Sequence, residues 1–341
     1  LGEDGANRRV VMQAPKNGFF YVLDAADGEL ISATPFTAQN WTTGQFDENG
    51  RPELVEEAVD LALYAVVPGP TGAHNWHPMA FNPDTGLVYI PVNEIPFFYD
   101  KTRNVEDSKS FWNIGYDAAA GWPVEYPAGT LDAVRDLDGG SLLAWDPVKA
   151  EPRWAVPFPL PLNGGVLSTQ AGLVFQGNKF GEFVAYDAET GERLWADKLV
   201  GNAAAAPMTY EIDGEQYLSV LSGWGSVSSL IAGFTYGEAK SKEPARVITF
   251  KLGGDGDMPA ALVDNVVRTP QSPMFGEPDQ HQLGMQRYAE SCHFCHGAFA
   301  VGGGVVPDLR WSALAGNEQA WDLVVREGAL EKQGMVSFAG R

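Results

Sequence analysis

Cysteine is almost absent from this 341-residue chain, which has only Cys292 and Cys295. A structural zinc site needs four ligands, and no further cysteine is available to complete one. A thioredoxin-like dithiol would need a surrounding βαβ pattern, and none is visible. Neither zinc binding nor dithiol exchange is therefore favoured as the role of this pair.

Long apolar runs and basic residues are also lacking. No stretch of about 18 apolar residues occurs, so we expect no membrane span within the chain. Lysine and arginine number 23 against 44 aspartate and glutamate, which gives a net charge of −21. Such a chain repels phosphate backbones and anionic membrane faces, so nucleic acid is not expected as a partner. The charge favours a solvated acidic surface, with a cationic redox partner as the alternative.

The chain does contain a haem-attachment pattern. Cys292, Cys295 and the adjoining His296 form Cys-x-x-Cys-His, which holds a c-type haem through two thioethers and one axial imidazole. Met335 lies where a small cytochrome c presents its sixth ligand, and His/Met ligation raises the haem potential. Core packing is the alternative for Met335. Pro307 is expected to direct its carbonyl at the ring N–H of His296, with a simple turn as the alternative.

The long stretch ahead of this motif indicates β structure. Short runs rich in Val, Tyr, Phe and Leu alternate with Gly, Pro and Asp turns. Asp146 and Asp187 are each followed eight residues later by tryptophan, Trp154 and Trp195, and the two copies are 41 residues apart (187 − 146). A weaker copy at Asp24 lacks the tryptophan. This period is typical of a four-stranded propeller blade, and we expect the tryptophan to lie against the neighbouring blade.

The length favours about two domains, and 45% hydrophobic residues are ample for a buried core. We predict a partial all-β propeller over residues 1–255, a linker over 256–277 and a small all-α cytochrome c domain over 278–341. Two helices are expected in the last region, one starting at Pro278 and one capped by Asn317 and stopped by a glycine.

Both ends suggest a longer protein. Leu1 is neither an initiator Met nor part of a secretory signal, and Arg341 follows Met335 too soon for the closing helix of a small cytochrome. Haem of this kind is attached outside the cytoplasm. We therefore expect a periplasmic protein whose secretory signal precedes this chain.

Several sequence blocks carry a resemblance to a known family. Ala-Pro-Lys-Asn-Gly occupies residues 14–18, and Gly-Ala-His-Asn-Trp-His-Pro occupies 72–78. Asn-Gly-Gly follows at 163–165, Phe-Gln-Gly at 175–177 and Ser-Gly-Trp-Gly at 222–225. With these blocks in this order, the chain resembles the pyrroloquinoline quinone (PQQ) dependent alcohol dehydrogenases, in the quinohaemoprotein branch. The resemblance implies an eight-bladed propeller with PQQ and a calcium ion on its axis.

The resemblance also implies roles for individual residues. Lys16 matches the lysine that reaches the quinone oxygens, where an ammonium stabilises negative charge that arrives with the hydride. Asn75 matches the amide that hydrogen-bonds the cofactor, and Trp76 matches the indole beside it. The backbone at Gly225 is expected near the quinone. Without the resemblance, Lys16 would be a surface lysine, Asn75 a turn residue and Trp76 a core aromatic.

Other roles are left unassigned. His74 and His77 have no metal-binding role in the family and are treated as structural. The catalytic aspartate and the calcium ligands of relatives come from sequence upstream of the lysine block, so we expect them before Leu1 and assign neither to this segment. Leu162 stands where relatives often carry tryptophan, which leaves the substrate preference open.

The implied function is oxidation of a small alcohol to an aldehyde, with hydride transfer to PQQ and single-electron transfer through the haem. The acceptor would be a periplasmic cytochrome, a blue copper protein or membrane quinone. Two alternatives stay open: a non-catalytic propeller scaffold with a tethered electron-relay cytochrome, and the large subunit of a membrane-associated alcohol dehydrogenase complex. The 341-residue segment alone is expected to be inactive.

Overall fold

The structure, a computed structural model, describes residues 8–56, 63–100, 139–199, 201–223, 245–258, 277–297, 300 and 306–339. Contacts between Cα atoms divide the chain into two units. The described residues up to 258 belong to the first unit, and those from 277 onward belong to the second.

Strands make up the regular structure of the first unit. In chain order they are β1 (Val10–Gln13), β2 (Phe19–Asp24), β3 (Leu30–Pro35), β4 (Thr42–Phe46), β5 (Pro52–Leu54), β6 (Leu63–Val66), β7 (Ala80–Asn82), β8 (Leu87–Glu94), β9 (Phe97–Asp100), β10 (Gly139–Asp146), β11 (Glu151–Phe158), β12 (Val166–Ser168), β13 (Leu173–Gly177), β14 (Glu182–Asp187), β15 (Arg193–Lys198), β16 (Met208–Ile212), β17 (Glu215–Ser222) and β18 (Arg246–Lys251). The predicted β character of this stretch is confirmed.

These strands form a series of antiparallel sheets. The first sheet has the order β1-β2-β3, the second β7-β8-β10-β11, the third β12-β13-β14-β15 and the fourth β16-β17-β18, while β4-β5 and β6-β9 form two short ribbons. Within each sheet, strands that follow each other in the chain are paired. The exception is the second sheet, where β8 pairs with β10 because the intervening β9 pairs with β6. This up-and-down order of small sheets is that of propeller blades.

The hydrophobic cores lie between consecutive sheets. Strand β8 contributes to two of them, because side chains on both of its faces are buried. Side chains alternate along a strand, so neighbouring residues point to opposite sides. Val88 and Ile90 pack with Phe20 in a core shared with the first sheet. Tyr89 points the other way and packs with Val184 of the third sheet. A third core joins the third and fourth sheets in the same way.

The repeated tryptophans connect one sheet to the next. Trp154 of β11 donates its indole N–H to the carbonyl oxygen of Ala188, in the third sheet's hairpin, at 3.1 Å. Its ring covers Gly191, where an added Cβ would come within 2.7 Å of ring carbon. Trp195 of β15 meets Phe250 of the fourth sheet edge-on, with centroids 5.2 Å apart. The predicted contact of the tryptophan with the neighbouring blade is confirmed in both copies.

The hairpin before each tryptophan depends on an aspartate and a residue in the left-handed backbone region. Asp187 Oδ1 accepts the N–H groups of Glu189 and Thr190 at 3.0 and 2.9 Å, and Gly191 has φ 75°. In the second sheet, Ala150 takes the place of this glycine and has φ 55°. A side chain in this region costs about 1 kcal/mol, because its Cβ crowds the backbone.

The second unit contains short helices. These are α1 (Pro278–Ser291), α2 (His293–His296) and α3 (Glu318–Trp321), with 3-10 turns at Leu309–Trp311 and Glu331–Gln333 and a π-helical turn at Asp322–Arg326. Helix α1 starts at Pro278 as predicted. Asn317 caps α3 as predicted, because its Oδ1 accepts the Ala320 N–H at 3.1 Å. None of the described helices is long and apolar enough to cross a membrane.

Helix α3 is shorter than the sequence suggested. We expected a single helix from Asn317 to the glycine at 328, but α-helical hydrogen bonding ends at Trp321 and the next five residues form the π-helical turn. Gly328, with φ 72°, then ends the segment. The domain limits and the cytochrome identity of this unit stay predictions.

Opposite substitutions at the two hairpins should have opposite effects. Ala150→Gly should stabilise the protein by about 0.5 kcal/mol, because relief of the left-handed strain exceeds the added entropy of the unfolded glycine. Gly191→Ala should destabilise it by more than about 1 kcal/mol, since the new Cβ would also strike Trp154. Urea unfolding of both variants measures these changes. Equal losses of stability at both positions would contradict the assigned turn geometry.

Candidate cofactor-binding site

Lys16 follows β1 and packs against the loop of residues 69–77. Its carbonyl oxygen accepts the Ala73 N–H at 2.9 Å, and its ammonium group donates to the Pro70 carbonyl at 3.1 Å. Gly72 has φ 82°, and an added Cβ would lie 2.6 Å from Lys16 Cβ. Only glycine allows the two backbones to approach this closely. The exposed Lys16 side chain is therefore held beside the loop that carries Asn75.

His74 contacts both of these loops from a buried position. Its side chain is 4% exposed. Nδ1 lies 2.5 Å from the Ala14 carbonyl oxygen, two residues before Lys16, and Nε2 lies 2.6 Å from the His77 carbonyl oxygen. His74 thus bridges the loop of Lys16 and the segment that follows Asn75, in line with its expected structural role.

Asn75, Trp76 and His77 complete this part of the site. Asn75 Nδ2 donates to the Thr71 carbonyl at 2.8 Å, which closes the loop on itself. The Trp76 side chain is 64% exposed, and its indole N–H donates to His77 Nε2 at 3.0 Å. The loop therefore presents an aromatic surface to solvent while a buried imidazole fixes the edge of the indole. The alternative interpretation of Trp76 as a core aromatic, which applied without the family resemblance, is wrong.

The electrostatics of His77 support this arrangement. Burial, with smaller contributions from the charges of Lys179 and His74, lowers the pKa of His77 from 6.5 to about 4. His77 is therefore neutral at pH 7, as its role of acceptor for Trp76 requires. Burial also lowers the pKa of Lys179 to about 8. No sequence motif pointed to Lys179; its position directly after the Phe-Gln-Gly-Asn turn was the available signal.

Asn93, near the end of β8, hydrogen-bonds both to the loop 69–77 and to the loop that contains Leu162. Its backbone N–H donates to the Ala73 carbonyl at 2.7 Å, and its side-chain oxygen accepts the Leu162 N–H at 2.7 Å. Leu162 has φ 59°, a conformation that a bulky residue rarely adopts. Sequence reasoning missed Asn93. A polar residue within the apolar run of β8, 2% exposed, is the signal that could have identified it.

Two further sequence blocks that carried the family resemblance contact each other. Gln176 Nε2 donates to the Gly164 carbonyl at 2.8 Å, and Asn163 Oδ1 accepts the Lys179 N–H at 3.3 Å. The Asn-Gly-Gly and Phe-Gln-Gly blocks are therefore in contact. Gly225, the remaining residue expected near the quinone, lies outside the described residues.

The Cys-x-x-Cys-His motif lies where α1 ends and α2 begins. Cys292 caps α1, while Cys295 and His296 belong to α2. His296 is 7% exposed, and its Nδ1 lies 2.9 Å from the Pro307 carbonyl oxygen. The predicted Pro307 contact is present. With its proton on Nδ1, the imidazole keeps the Nε2 lone pair available for a metal.

Cys292 lacks the stabilised thiolate of a reactive dithiol. Cys292 and Cys295 form no disulfide with each other. Burial, with a contribution from Cys295, raises the pKa of Cys292 to about 11, whereas redox dithiols depend on a stabilised thiolate. Met335 is partly buried, and its N–H donates to the Leu330 carbonyl at 3.2 Å. The axial role of Met335 stays a prediction.

Within the described ranges, no group of three or more His, Cys, Asp or Glu side chains could hold a metal ion. None of these residues is therefore assigned as a calcium ligand. The pairing of Cys292 and Cys295 with one histidine suits a covalently attached haem, which needs one protein nitrogen and two thiols.

Comparison with known proteins identifies the fold. The family model described as PQQ, glucose/ethanol/alcohol dehydrogenase, beta-propeller domain, matches residues 140–218, which run from β10 into β17. Quinohemoprotein alcohol dehydrogenase ADH IIB of Pseudomonas putida is 43% identical over 342 residues, which cover 99% of this chain and 48% of that protein. The dehydrogenase subunit of the alcohol dehydrogenase (quinone) of Acetobacter aceti is 37% identical over 98% of this chain and 45% of its own length.

Solved structures agree with these relatives. Quinohemoprotein alcohol dehydrogenase ADHIIG from Pseudomonas putida superposes with a TM-score of 0.85 at 39% identity, covering 99% of this chain and 50% of that chain. The quinohemoprotein alcohol dehydrogenase of Comamonas testosteroni superposes with a TM-score of 0.77 at 35% identity, covering 98% of this chain and 48% of that chain.

These similarities place the chain in the class of PQQ-type β-propeller proteins. Within that class, the chain is similar over nearly its whole length to quinohaemoprotein alcohol dehydrogenases, as its sequence blocks indicated. The chain spans about half the length of the relatives it matches, 48% of the protein that is 43% identical. Because that match covers 99% of this chain, the loops around Lys16 and the Cys-x-x-Cys-His motif both lie in the compared region.

The buried, neutral His77 should make stability depend on pH. Because folding lowers its pKa from 6.5 to about 4, its contribution is complete above pH 6.5 and is lost as the pH falls towards 4. The loss should amount to about 3 kcal/mol. Urea unfolding of the protein and of His77→Gln between pH 7 and 4 measures it. The variant should show a flatter profile, and His281→Gln on α1 is the control; parallel profiles for all three proteins would contradict the assignment.

Proposed function

We propose that this chain supplies part of the PQQ site and the electron-accepting haem domain of a periplasmic quinohaemoprotein alcohol dehydrogenase, which oxidises small alcohols to aldehydes. The observation that carries the proposal is the interlocking of the Lys16 backbone with the loop 69–77. That contact brings an exposed cation and an exposed indole to one pair of joined loops. Its support from known proteins is the similarity to quinohaemoprotein alcohol dehydrogenases across nearly the whole chain.

The residues present suit PQQ, a planar anionic quinone. In a chain with a net charge of −21, the exposed ammonium of Lys16 offers a local positive charge for quinone or carboxylate oxygens. Trp76 offers an exposed aromatic surface for a planar ligand. Asn75 would orient the ligand through its amide. When bound, PQQ supplies the two-electron chemistry by accepting a hydride from the alcohol carbon.

The residues of this chain would serve that chemistry by position and charge. The Pro70 carbonyl holds the Lys16 ammonium in place, so the positive charge is already oriented before negative charge develops beside it. Neutral His77 accepts the indole N–H and thereby fixes Trp76. No residue of this chain is proposed as the general base.

The helical unit is proposed as a c-type cytochrome. Cys292 and Cys295 would form the thioethers, His296 would be one axial ligand and Met335 the other. The Pro307 carbonyl fixes the orientation of the His296 ring and favours the tautomer that can bind iron. A haem here would supply one-electron transfer to an acceptor such as a periplasmic cytochrome, a blue copper protein or membrane quinone.

A second candidate stays within the same chemistry. Over 98% of its own length, this chain is also 37% identical to a protein named as the dehydrogenase subunit of an alcohol dehydrogenase (quinone). It could therefore come from the large subunit of a membrane-associated complex. Purification of the enzyme with or without further subunits would distinguish the two.

Loss of the Lys16 ammonium should impair catalysis more than binding of the alcohol. In the PQQ- and calcium-reconstituted enzyme that contains this chain, Lys16→Ala should lower the kcat for primary alcohols with an artificial dye on the order of a hundredfold. Lys149→Ala is the matched control, because the Lys149 side chain is 57% exposed and forms an ion pair with Asp146. Bound PQQ with no alcohol turnover in the unmodified enzyme would favour the non-catalytic scaffold instead.

Substitution of the proposed second axial ligand should lower the haem potential. Met335→Ala should lower the midpoint potential and abolish the Met-to-iron absorption band, because thioether ligation favours reduced iron. Met285→Ala, on α1 and 44% exposed, is the control and should leave both unchanged. Identical spectra and potentials for the two variants would rule out Met335 as a ligand.

A further inference from the structure

His74 has a hydrogen-bonding environment that a neutral histidine cannot satisfy. Two backbone carbonyl oxygens, of Ala14 and His77, lie 2.5 and 2.6 Å from its two ring nitrogens. A neutral imidazole has one N–H and one lone pair, whereas a carbonyl oxygen only accepts. A neutral ring would hold a lone pair against an oxygen at contact distance, in a position where the side chain is only 4% exposed.

We propose that His74 is a positioning residue that acts as an imidazolium, donating one N–H to the Ala14 carbonyl and the other to the His77 carbonyl at the same time. Both bonds are then charge-assisted, and such bonds are shorter than hydrogen bonds between neutral groups. A rotation of the ring by 180° would place carbon atoms near the oxygens and would remove both bonds. The doubly protonated form is the one that fits the geometry.

This clamp joins the two halves of the cofactor-binding surface. The Ala14 carbonyl lies two residues before Lys16, and the His77 carbonyl belongs to the residue whose ring holds Trp76. Movement at either end of His74 would shift the Lys16 ammonium relative to the indole. The link to PQQ rests on the proposed function, but the clamp itself concerns contacts within this chain.

Among the residues that the structure describes, the hydrogen-bond partners of the His74 ring are the two backbone carbonyl oxygens. Lys16 lies on the loop after β1, His77 lies on the same loop as His74, and Lys179 lies near His77. Glu94, at the end of β8, accepts a hydrogen bond from the Thr37 hydroxyl at 3.2 Å. The two carbonyl oxygens are therefore the groups that stabilise the second proton.

Nitrogen NMR of the protein without cofactor tests the clamp directly. The chain has only five histidines, so His74→Gln identifies the ring signals of His74. At pH 7 both of its ring nitrogens should show the protonated, imidazolium signature, with N–H protons protected from exchange. A single protonated ring nitrogen at pH 7 would overturn the proposal. The measurement is made on the unmodified protein, and the variant serves only to assign its signals.

The positioning role is tested by its effect on Trp76. The indole N–H signal of Trp76, assigned with Trp76→Phe, should shift in His74→Gln and remain in place in His281→Gln. In the reconstituted enzyme, PQQ should bind His74→Gln on the order of tenfold more weakly, the loss expected for one charge-assisted hydrogen bond. An unmoved Trp76 signal together with unchanged PQQ affinity would overturn the positioning role. If PQQ binds neither the unmodified enzyme nor His74→Gln, the proposed function is wrong. The protonation of the His74 ring and the Trp76 signal still test whether His74 holds the two loops together.

Discussion

The hydrogen bonds between the loop of Lys16 and the loop 69–77 are the constraint on which the rest of the site depends. They begin in the core, where Ala14 and Ala73 are fully buried between the first two sheets. From this base the backbone contact of Lys16 with Ala73 and the bridge through His74 extend outward. The exposed functional groups are therefore fixed by buried backbone rather than by contacts with each other, which is a requirement for a site that must be preorganised.

Much of this architecture could be predicted because its determinants are local. The Asp-x-x-x-Gly hairpin is encoded within five residues, and the tryptophan after it has one neighbour to meet, so Trp154 and Trp195 were identified from spacing alone. The roles of Asn93 and Lys179 could not be inferred in this way. Asn93 acts on Leu162 across 69 residues, and Lys179 influences His77 through space. No periodicity in the sequence reports such contacts, and only the assembled sheets bring them together.

The second unit shows the same division between local and distant signals. The start of α1 and the cap at Asn317 depend on one or two residues and were predicted correctly. The length of α3 was wrong, because a change from α-helical to π-helical hydrogen bonding is not marked by a breaking residue. The contact of His296 with Pro307, eleven residues apart, was expected with a simple turn as the alternative, and the distance of 2.9 Å supports the contact.

The two-sided burial of β8 has a consequence for how this protein can change over time. Ile90 and Tyr89 are adjacent in the chain, yet one fits the preceding sheet and the other fits the following one. A change of side-chain volume at Ile90 must be compensated in the first sheet, and one at Tyr89 must be compensated in the third sheet. Substitutions at the two positions are therefore accommodated independently of each other. The strand is consequently a boundary at which compensating substitutions on one side need not propagate to the other.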